Sequence, residues 1–184
     1  NMVKTVLITG ATDGIGKHLA KKLASEGHHV ILHGRNSQKL ELATQEVRAV
    51  SLRGRVSSYL ADFSKLDDVY RFVGEIKQDF DQLDVLFNNA GLYAGKERKA
   101  SDEKTKKSLF GRLMKSLSKN VDEGIETGYY LTLSEEIRGL TGYYFDEKKV
   151  KSVSEKGYTL EKAKTLITYC NDRIELFQNK SETV

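Results

Sequence analysis

The chain has 184 residues, of which 39% are hydrophobic and 30% charged, and it carries a net charge of +4. Its length predicts a single domain, residues 1–184, large enough to bury a core, and its small charge gives no reason to expect a nucleic-acid partner. No apolar run approaches the roughly 18 residues that span a membrane, no secretory signal is visible, and Cys170 is the only cysteine, so we expect a cytoplasmic protein without an internal disulfide.

The first ninety residues alternate between apolar strands and amphipathic helices. We predict strands over 3–8, 30–32, 56–61 and 83–87, and helices over 15–25, 37–50 and 66–80. Strands that alternate with helices pair in parallel through right-handed crossovers. Because helices cover both faces of such a sheet, its strands are continuous apolar runs. The predicted fold class is therefore α/β: a Rossmann-type, doubly wound parallel sheet in three α/β/α layers.

After Gly91 this alternation stops. Residues 94–107 are polar and show no period. Later elements are predicted as a basic helix with an apolar stripe over 109–117, a helix over 121–136, a short strand over 143–145 and a terminal helix over 160–177. The basic helix could bind a membrane surface or an acidic partner, but we favour a helix that caps a cleft or packs on the core.

A glycine-rich loop, residues 9–16 (TGATDGIG), joins the first predicted strand to the first predicted helix. Gly10 permits a tight turn, Gly14 lets the backbone approach phosphates, and Gly16 lets the helix and strand pack closely. The start of the helix offers unpaired N–H groups and the positive end of a dipole to an anion. This strand, loop and helix therefore predict a pyrophosphate site.

Three features together resemble the short-chain dehydrogenase/reductase family: the loop TGATDGIG, the NNAG sequence at 88–91 after the fourth strand, and Asp62 at the end of the third. Residues 105–177 resemble the end of the family's retinol-dehydrogenase-like branch, where a DEG sequence (122–124) precedes a G-x-Y-F strand (142–145). The resemblance implies hydride transfer between a nicotinamide cofactor and a small alcohol or carbonyl substrate, in a possible homodimer. The cofactor-binding residues that it implies are Gly10, Thr12, Asp13, Gly14, Ile15, Gly16, Arg35, Asn36, Asp62, Phe63, Asn89, Ala90 and Gly91.

The end of the second strand bears on the form of the cofactor. An acidic residue there would bind the ribose 2′-hydroxyl of NAD, but the sequence is His33-Gly34-Arg35-Asn36. A guanidinium can hold a 2′-phosphate through two hydrogen bonds, so Arg35 favours NADP(H) over NAD(H). Asp13 adds negative charge nearby and weakens this preference slightly. Arg35 could instead be an ordinary solvated turn residue.

The chemistry that the resemblance implies needs a tyrosine and a lysine four residues later on one helical face, with a serine upstream. Two pairs have this spacing, Tyr144 with Lys148 and Tyr158 with Lys162. We reject both, because Tyr144 falls in a predicted strand and Tyr158 follows a glycine at a helix start. The catalytic residues therefore stay unknown.

The sequence passes from the family's NNAG element almost directly to its C-terminal part, with a seam near Glu103–Lys104. At least two strand–helix units, about 60 residues, are missing there. Without them the fourth strand would expose an apolar edge, and the strand over 143–145 would have no neighbour. We therefore hypothesise that the sequence omits an internal segment of a longer enzyme, which a continuous peptide through 95–110 would contradict. The alternative is a truncated, catalytically inert protein that binds a cofactor or a partner.

Three histidines surround the second predicted strand: His28, His29 and His33. No cysteine or acid cluster accompanies them, so we predict surface or strand-end residues and no metal site. Cys170 falls in an apolar helical pattern and is predicted to lie in the core rather than to act as a nucleophile.

Overall fold

The computed structural model describes residues 2–53, 55–91, 121–152 and 159–181. The chain forms two compact units, Asn1–Gly139 and Leu140–Val184, and the prediction of one domain over 1–184 stays a prediction. Some predictions lie outside the described residues: the polar stretch over 94–107, chain continuity through 95–110, the seam at 103–104, the basic helix over 109–117 and the position of Tyr158.

In the first unit the described residues form a four-stranded parallel sheet. Its strands are, in chain order, β1 (Thr5–Ile8), β2 (His29–Gly34), β3 (Val56–Leu60) and β4 (Val85–Phe87). They lie in the order β3-β2-β1-β4, and each neighbouring pair is parallel. The chain therefore moves outward from β1 to β3 and then returns to the other side of β1. This is the doubly wound topology that the sequence predicts. Its topological switch point, where the strand order reverses, lies between β1 and β4.

Helices cover both faces of this sheet. The α-helices among the described residues of this unit are α1 (Gly14–Ser25), α2 (Ser37–Val50), α3 (Leu66–Asp79) and α4 (Val121–Leu133), and a short 3-10 helix, Glu135–Ile137, follows α4. Side chains alternate along each strand, so Ile8 and Leu32 pack with the core under α1, α2 and α4, whereas Leu7 and Ile31 pack with the core under α3. The predicted three-layer α/β/α arrangement is confirmed in this unit.

Helix α4 packs beside α1 and supports the end of β4. Gly128 faces the Phe87 ring so closely that a Cβ atom on Gly128 would lie 2.8 Å from the ring Cζ. The Tyr129 hydroxyl donates a hydrogen bond to the Glu26 carboxylate at 2.7 Å, and Lys22 Nζ lies 4.4 Å from the centre of the Tyr129 ring. Helix α4 thus packs on the end of β4, the strand that leads into the NNAG turn.

Some apolar residues of the amphipathic helices are exposed. Ile15 is 44% exposed at the open start of α1, and Leu42 and Val73 are exposed as well. Within the described ranges β4 pairs with β1 alone, and Leu86 on β4 is 54% exposed. The described part of the sheet therefore ends in an apolar edge strand, as expected from the sequence.

The second unit holds a hairpin, β5 (Tyr144–Asp146) with β6 (Lys149–Lys151), and a helix, α5 (Leu160–Ser181). The expectation that the strand over 143–145 has no neighbour is wrong, because β5 pairs with β6 in antiparallel register. The two turn residues, Glu147 and Lys148, have φ angles of 50° and 66°, which are typical of a two-residue hairpin turn. Tyr144 and Lys148 therefore do not share a helical face.

Of the two alternatives predicted for the histidines, surface or strand-end, the strand-end one holds: His29 begins β2, His28 directly precedes it and His33 lies near its end. His28 and His33 are not surface residues, since they are 4% and 3% exposed. Burial lowers the pKa of both, and also that of His29, because it disfavours a charged ring. The described residues contain no group of three or more side chains able to hold a metal ion.

Cys170 is exposed on α5, so its predicted place in the core is wrong. Among the described helices none is both long and apolar enough to cross a membrane.

Candidate functional site

The carboxyl ends of the four parallel strands open into a cleft of about 920 Å³. Its wall combines the glycine-rich loop, the β2–α2 turn, the loop after β3 and the NNAG turn after β4. Open α/β sheets bind ligands at this edge, where the strand order reverses. Of the thirteen residues implied by the resemblance, eleven line the cleft: Gly10, Thr12, Asp13, Gly14, Arg35, Asn36, Asp62, Phe63, Asn89, Ala90 and Gly91. Their role as cofactor ligands stays a prediction.

The glycine-rich loop follows a path that depends on its three glycines. Gly10 has a φ of +65°, and a Cβ atom there would lie 2.8 Å from the Cα of Ala90, so both conformation and space require glycine. A Cβ atom on Gly16 would lie 2.8 Å from the Gly10 carbonyl oxygen, so this glycine lets α1 pack closely on the glycine-rich loop rather than on the strand itself. No described atom lies within 4 Å of the equivalent position at Gly14, whose backbone borders the cleft.

Two of the cofactor-binding residues implied by the resemblance do not line the cleft: Ile15 and Gly16. Gly16 lies in the first turn of α1 and is buried against the glycine-rich loop. The Ile15 side chain lies beside α4 instead, where a Cβ atom on Gly124 would be 3.6 Å from its Cδ1. Only the backbone of Ile15, in the first turn of α1, remains a candidate ligand.

Hydrogen bonds join the glycine-rich loop to the NNAG turn. The buried Thr9 hydroxyl accepts from the backbone N–H groups of Asn89 at 3.0 Å and Ala90 at 2.9 Å. The Asn89 side-chain amide donates back to the carbonyl oxygens of Thr9 and Gly10, at 3.0 and 3.1 Å. Thr9 was not among the predicted site residues, although it opens the TGATDGIG sequence. These hydrogen bonds fix the glycine-rich loop and the NNAG turn relative to each other.

Asp13 caps the start of α1. Its Oδ1 accepts a hydrogen bond from the Gly14 N–H at 2.8 Å. A carboxylate is favourable at the positive end of the helix dipole, so this contact stabilises α1. The same N–H groups are the ones that an anionic ligand would use, so Asp13 competes with such a ligand for the helix start.

The β2–α2 turn brings cationic side chains to the cleft. Arg35 and Lys39 both line it, and the Asn36 side chain caps α2 by accepting from the Lys39 N–H at 2.9 Å. A Cβ atom on Gly34 would overlap the methyl group of Thr12, so glycine lets this turn close against the glycine-rich loop. Sequence reasoning missed Lys39, and the available signal was its position in the first turn of a capped helix.

The Asp62 carboxylate sits in a defined hydrogen-bond network at the end of β3. Its Oδ1 accepts from the Ser64 N–H at 3.1 Å and from the Ser64 hydroxyl at 2.8 Å. The Asp62 N–H in turn donates to the Asp68 carboxylate at 2.9 Å. The two bonds from Ser64, helped by the charges of Lys65 and Arg35, hold the pKa of Asp62 below its usual value. At neutral pH Asp62 is therefore an ionised acceptor on the cleft wall.

His33 lies at the back of the cleft and was missed as a site residue. Its ring stacks on Phe63, with the ring centres 3.9 Å apart and the planes 8° from parallel. Its Nδ1 accepts from the Gly10 N–H at 3.2 Å, and its Nε2 lies 3.0 Å from the Ala61 carbonyl oxygen. A neutral ring protonated on Nε2 satisfies both partners. Only its position at the end of a predicted strand could have signalled this role.

No tyrosine is found among the described residues that line the cleft. Tyr144 belongs to a hairpin strand of the second unit, and Lys148 lies in the hairpin turn. The rejection of this pair as a helical Tyr-x-x-x-Lys site is therefore confirmed. The catalytic residues stay unknown.

Comparisons with known proteins point to one family. A family model described as short chain dehydrogenase matches residues 4–121. Retinol dehydrogenase 13 from Homo sapiens is 37% identical over 89 residues, which are 48% of this chain and 27% of that protein. Polyprenol dehydrogenase from Homo sapiens is 34% identical over 99 residues, 54% of this chain and 30% of that protein. The chain thus spans less than a third of the length of these relatives.

A solved metagenomic short-chain oxidoreductase in complex with NADP is 35% identical to this chain. The match covers 48% of this chain and 39% of that chain, with a TM-score of 0.45.

Proposed function

Because the chain belongs to the short-chain dehydrogenase family, we propose that its cleft binds a nicotinamide dinucleotide, NADP(H) in preference to NAD(H). We propose further that the whole protein transfers a hydride between this cofactor and an alcohol or carbonyl substrate. Proteins of this family are NAD(P)-dependent oxidoreductases that act on small molecules, and the relatives include retinol dehydrogenase 13. The observation that carries the proposal is the cleft itself, which gathers eleven of the thirteen implied residues.

The residues of the cleft fit such a cofactor. The open backbone at Gly14 and the start of α1 suit a pyrophosphate. Arg35 and Lys39 suit the additional phosphate of NADP(H). The ionised Asp62 can accept hydrogen bonds from an adenine amino group, and the exposed ring of Phe63 offers an apolar surface. When bound, the cofactor supplies or accepts the hydride.

A titration of the purified protein with NADPH and with NADH tests this proposal. We expect both to bind, with a Kd for NADPH at least about tenfold lower, since a charge-assisted hydrogen bond is worth about 1.5–3 kcal/mol. Nucleotide fluorescence measures both constants. Failure of both nucleotides to bind, or tighter binding of NADH, would contradict it.

A second candidate is a catalytically inert protein that binds the cofactor or a partner. The observation that favours it is that no tyrosine, which the proposed chemistry needs, is found among the described residues that line the cleft. Intact mass and turnover distinguish the two. A mass well above 20.7 kDa with NADPH-dependent reduction of carbonyl compounds supports the enzyme, whereas a mass of 20.7 kDa with binding and no turnover supports the inert form.

Two finer points belong to the same proposal. We infer a cytoplasmic location, because a chain whose only cysteine is Cys170 cannot form an internal disulfide. We also infer a homodimer, in keeping with the family. Cell fractionation and analytical ultracentrifugation test these two points.

The charge of Asp13 is expected to weaken nucleotide binding. Asp13→Asn keeps a good helix cap and removes the charge next to the Gly14 N–H, so we expect the Kd for NADPH to fall about threefold to tenfold. Fluorescence titration at low salt measures the change, and the thermal unfolding midpoint serves as the control for the cap. An unchanged or weaker affinity in a stable variant would show that the carboxylate does not oppose the ligand.

A further inference from the structure

The buried ring of His33 connects loops that are far apart in sequence. It accepts from Gly10 in the glycine-rich loop at 3.2 Å and donates to Ala61 after β3 at 3.0 Å. Phe63, two residues beyond Ala61, stacks on one face of the ring, and Phe72 of α3 meets it edge-on with centres 5.2 Å apart. This side chain therefore bridges two walls of the cleft, beside the backbone hydrogen bonds from the Ala11 N–H to the His33 carbonyl oxygen at 2.9 Å and from the Ala61 N–H to the Gly34 carbonyl oxygen at 3.1 Å.

Only one protonation state of His33 fits these contacts. The Gly10 N–H points at Nδ1, so Nδ1 must be an unprotonated acceptor. A proton on Nδ1 would place two N–H groups against each other and would leave the Gly10 N–H without this acceptor. The face of Phe63 attracts a cationic ring, which opposes this effect but supplies no acceptor to Gly10.

We propose that His33 is a positioning residue, which fixes the backbone of the glycine-rich loop at Gly10 while its ring is neutral and releases the Gly10 N–H when Nδ1 is protonated. Release of Gly10 would disturb the turn that borders the pyrophosphate position, and nucleotide binding would weaken. The effect on binding rests on the function proposed above. The effect on Gly10 does not.

The charged groups that line this part of the cleft are Asp13 on the glycine-rich loop, Arg35 and Lys39 on the β2–α2 turn, and Asp62 after β3. Towards α3, which carries Phe72, the charged groups near Leu60 and Asp62 are Lys65, Asp68 and Arg71. The pKa of His33 is set by burial, which lowers it from its ordinary value of 6.5, against a backbone hydrogen bond, which raises it. The neutral ring therefore dominates above pH 6.5, and protonation in the folded protein begins below that value.

Amide hydrogen exchange of Gly10 without nucleotide tests the first half of the proposal. In the wild-type protein we expect the Gly10 protection factor to be constant above pH 6.5 and to fall as the pH is lowered towards the acid limit of the folded state, by up to about tenfold per pH unit below the titration point of His33. His33→Gln supplies an acceptor and a donor that do not titrate, so its Gly10 protection should not change with pH. His29→Gln, at the other end of β2, is the matched control and should behave as the wild type does.

The Kd for NADP⁺ over the same pH range tests the second half. A phosphate monoester also titrates near pH 6, so the ligand's own contribution is measured in His33→Gln and subtracted. After this subtraction, we expect the Kd of the wild type and of His29→Gln to rise as the pH falls below the titration point of His33. The increase should approach tenfold per pH unit. The same profile in His33→Gln would overturn the proposal for binding.

The outcomes separate the two proposals. If no protein binds NADP⁺ at about pH 7.5, the proposed function fails, and Gly10 exchange still decides the role of His33. If Gly10 protection in the wild type is independent of pH, or falls equally in His33→Gln, the positioning role is overturned whatever binds. Should His33→Gln not fold, the wild type and His29→Gln decide by the presence or absence of the pH response at Gly10.

Discussion

Arg35→Leu is expected to raise the Kd for NADPH about tenfold to a hundredfold and to change the Kd for NADH less than about threefold. Arg35 is an exposed side chain on the cleft wall at the end of β2, the position from which a guanidinium can reach a ribose 2′-phosphate. A charge-assisted hydrogen bond is worth about 1.5–3 kcal/mol, and each 1.4 kcal/mol is tenfold in Kd. Parallel titrations with both nucleotides at fixed ionic strength measure the two changes.

Two further variants show what Arg35 contributes. Arg35→Lys keeps the charge and removes the planar fork, so an intermediate Kd for NADPH indicates bidentate binding. Lys39→Leu removes the neighbouring cation from the first turn of α2 and should have a smaller effect, since its ammonium is a single point charge. Equal losses for NADPH and NADH in Arg35→Leu would mean that Arg35 does not recognise the additional phosphate.

The parts of the fold that are local in sequence could be predicted. Apolar runs bounded by turns located β1 to β4, and their alternation with helices gave the parallel order because crossovers of this kind have few solutions. The glycine-rich loop was also predictable, because a positive φ at Gly10 and a close approach at Gly16 each demand a residue without a side chain.

The rest of the site depends on register, which a single sequence does not state. Ile8, the last residue of β1, pairs with Leu32, so β2 runs two residues further than β1 and places His33 beside the glycine-rich loop. No local pattern distinguishes this histidine from His29 on the same strand, since the difference lies in what the neighbouring strands and loops bring to each ring. The hairpin turn at Glu147-Lys148 was missed for another reason: positive φ angles there are adopted by residues that normally avoid them.

The hydrogen bonds between the glycine-rich loop and the NNAG turn are expected to be essential to the cleft. Thr9→Val replaces the buried hydroxyl with a methyl group of similar size, so shape is kept and the acceptor is lost. The Asn89 N–H still lies 3.0 Å from the Phe87 carbonyl oxygen, so the main loss falls on the Ala90 N–H. Ala90 is an exposed residue, so water can reach this N–H, and we expect the free energy of unfolding to fall by about 0.5–1.5 kcal/mol, the net contribution of an intramolecular hydrogen bond.

Thr9→Ser is the matched control, because it keeps the hydroxyl and loses only a methyl group, at a cost of about 1 kcal/mol or less. Urea unfolding followed by circular dichroism measures both variants, with equal m-values showing that the change lies in stability. We also expect Thr9→Val to raise the Kd for NADPH more than tenfold, since Gly10 and Ala90 meet at the cleft wall, while Thr9→Ser stays near the wild type. If Thr9→Val is as stable as Thr9→Ser and binds as well, the two loops keep their relative position without this hydroxyl, and the backbone bond from Thr9 N–H to the Phe87 carbonyl oxygen at 3.1 Å is sufficient to hold them.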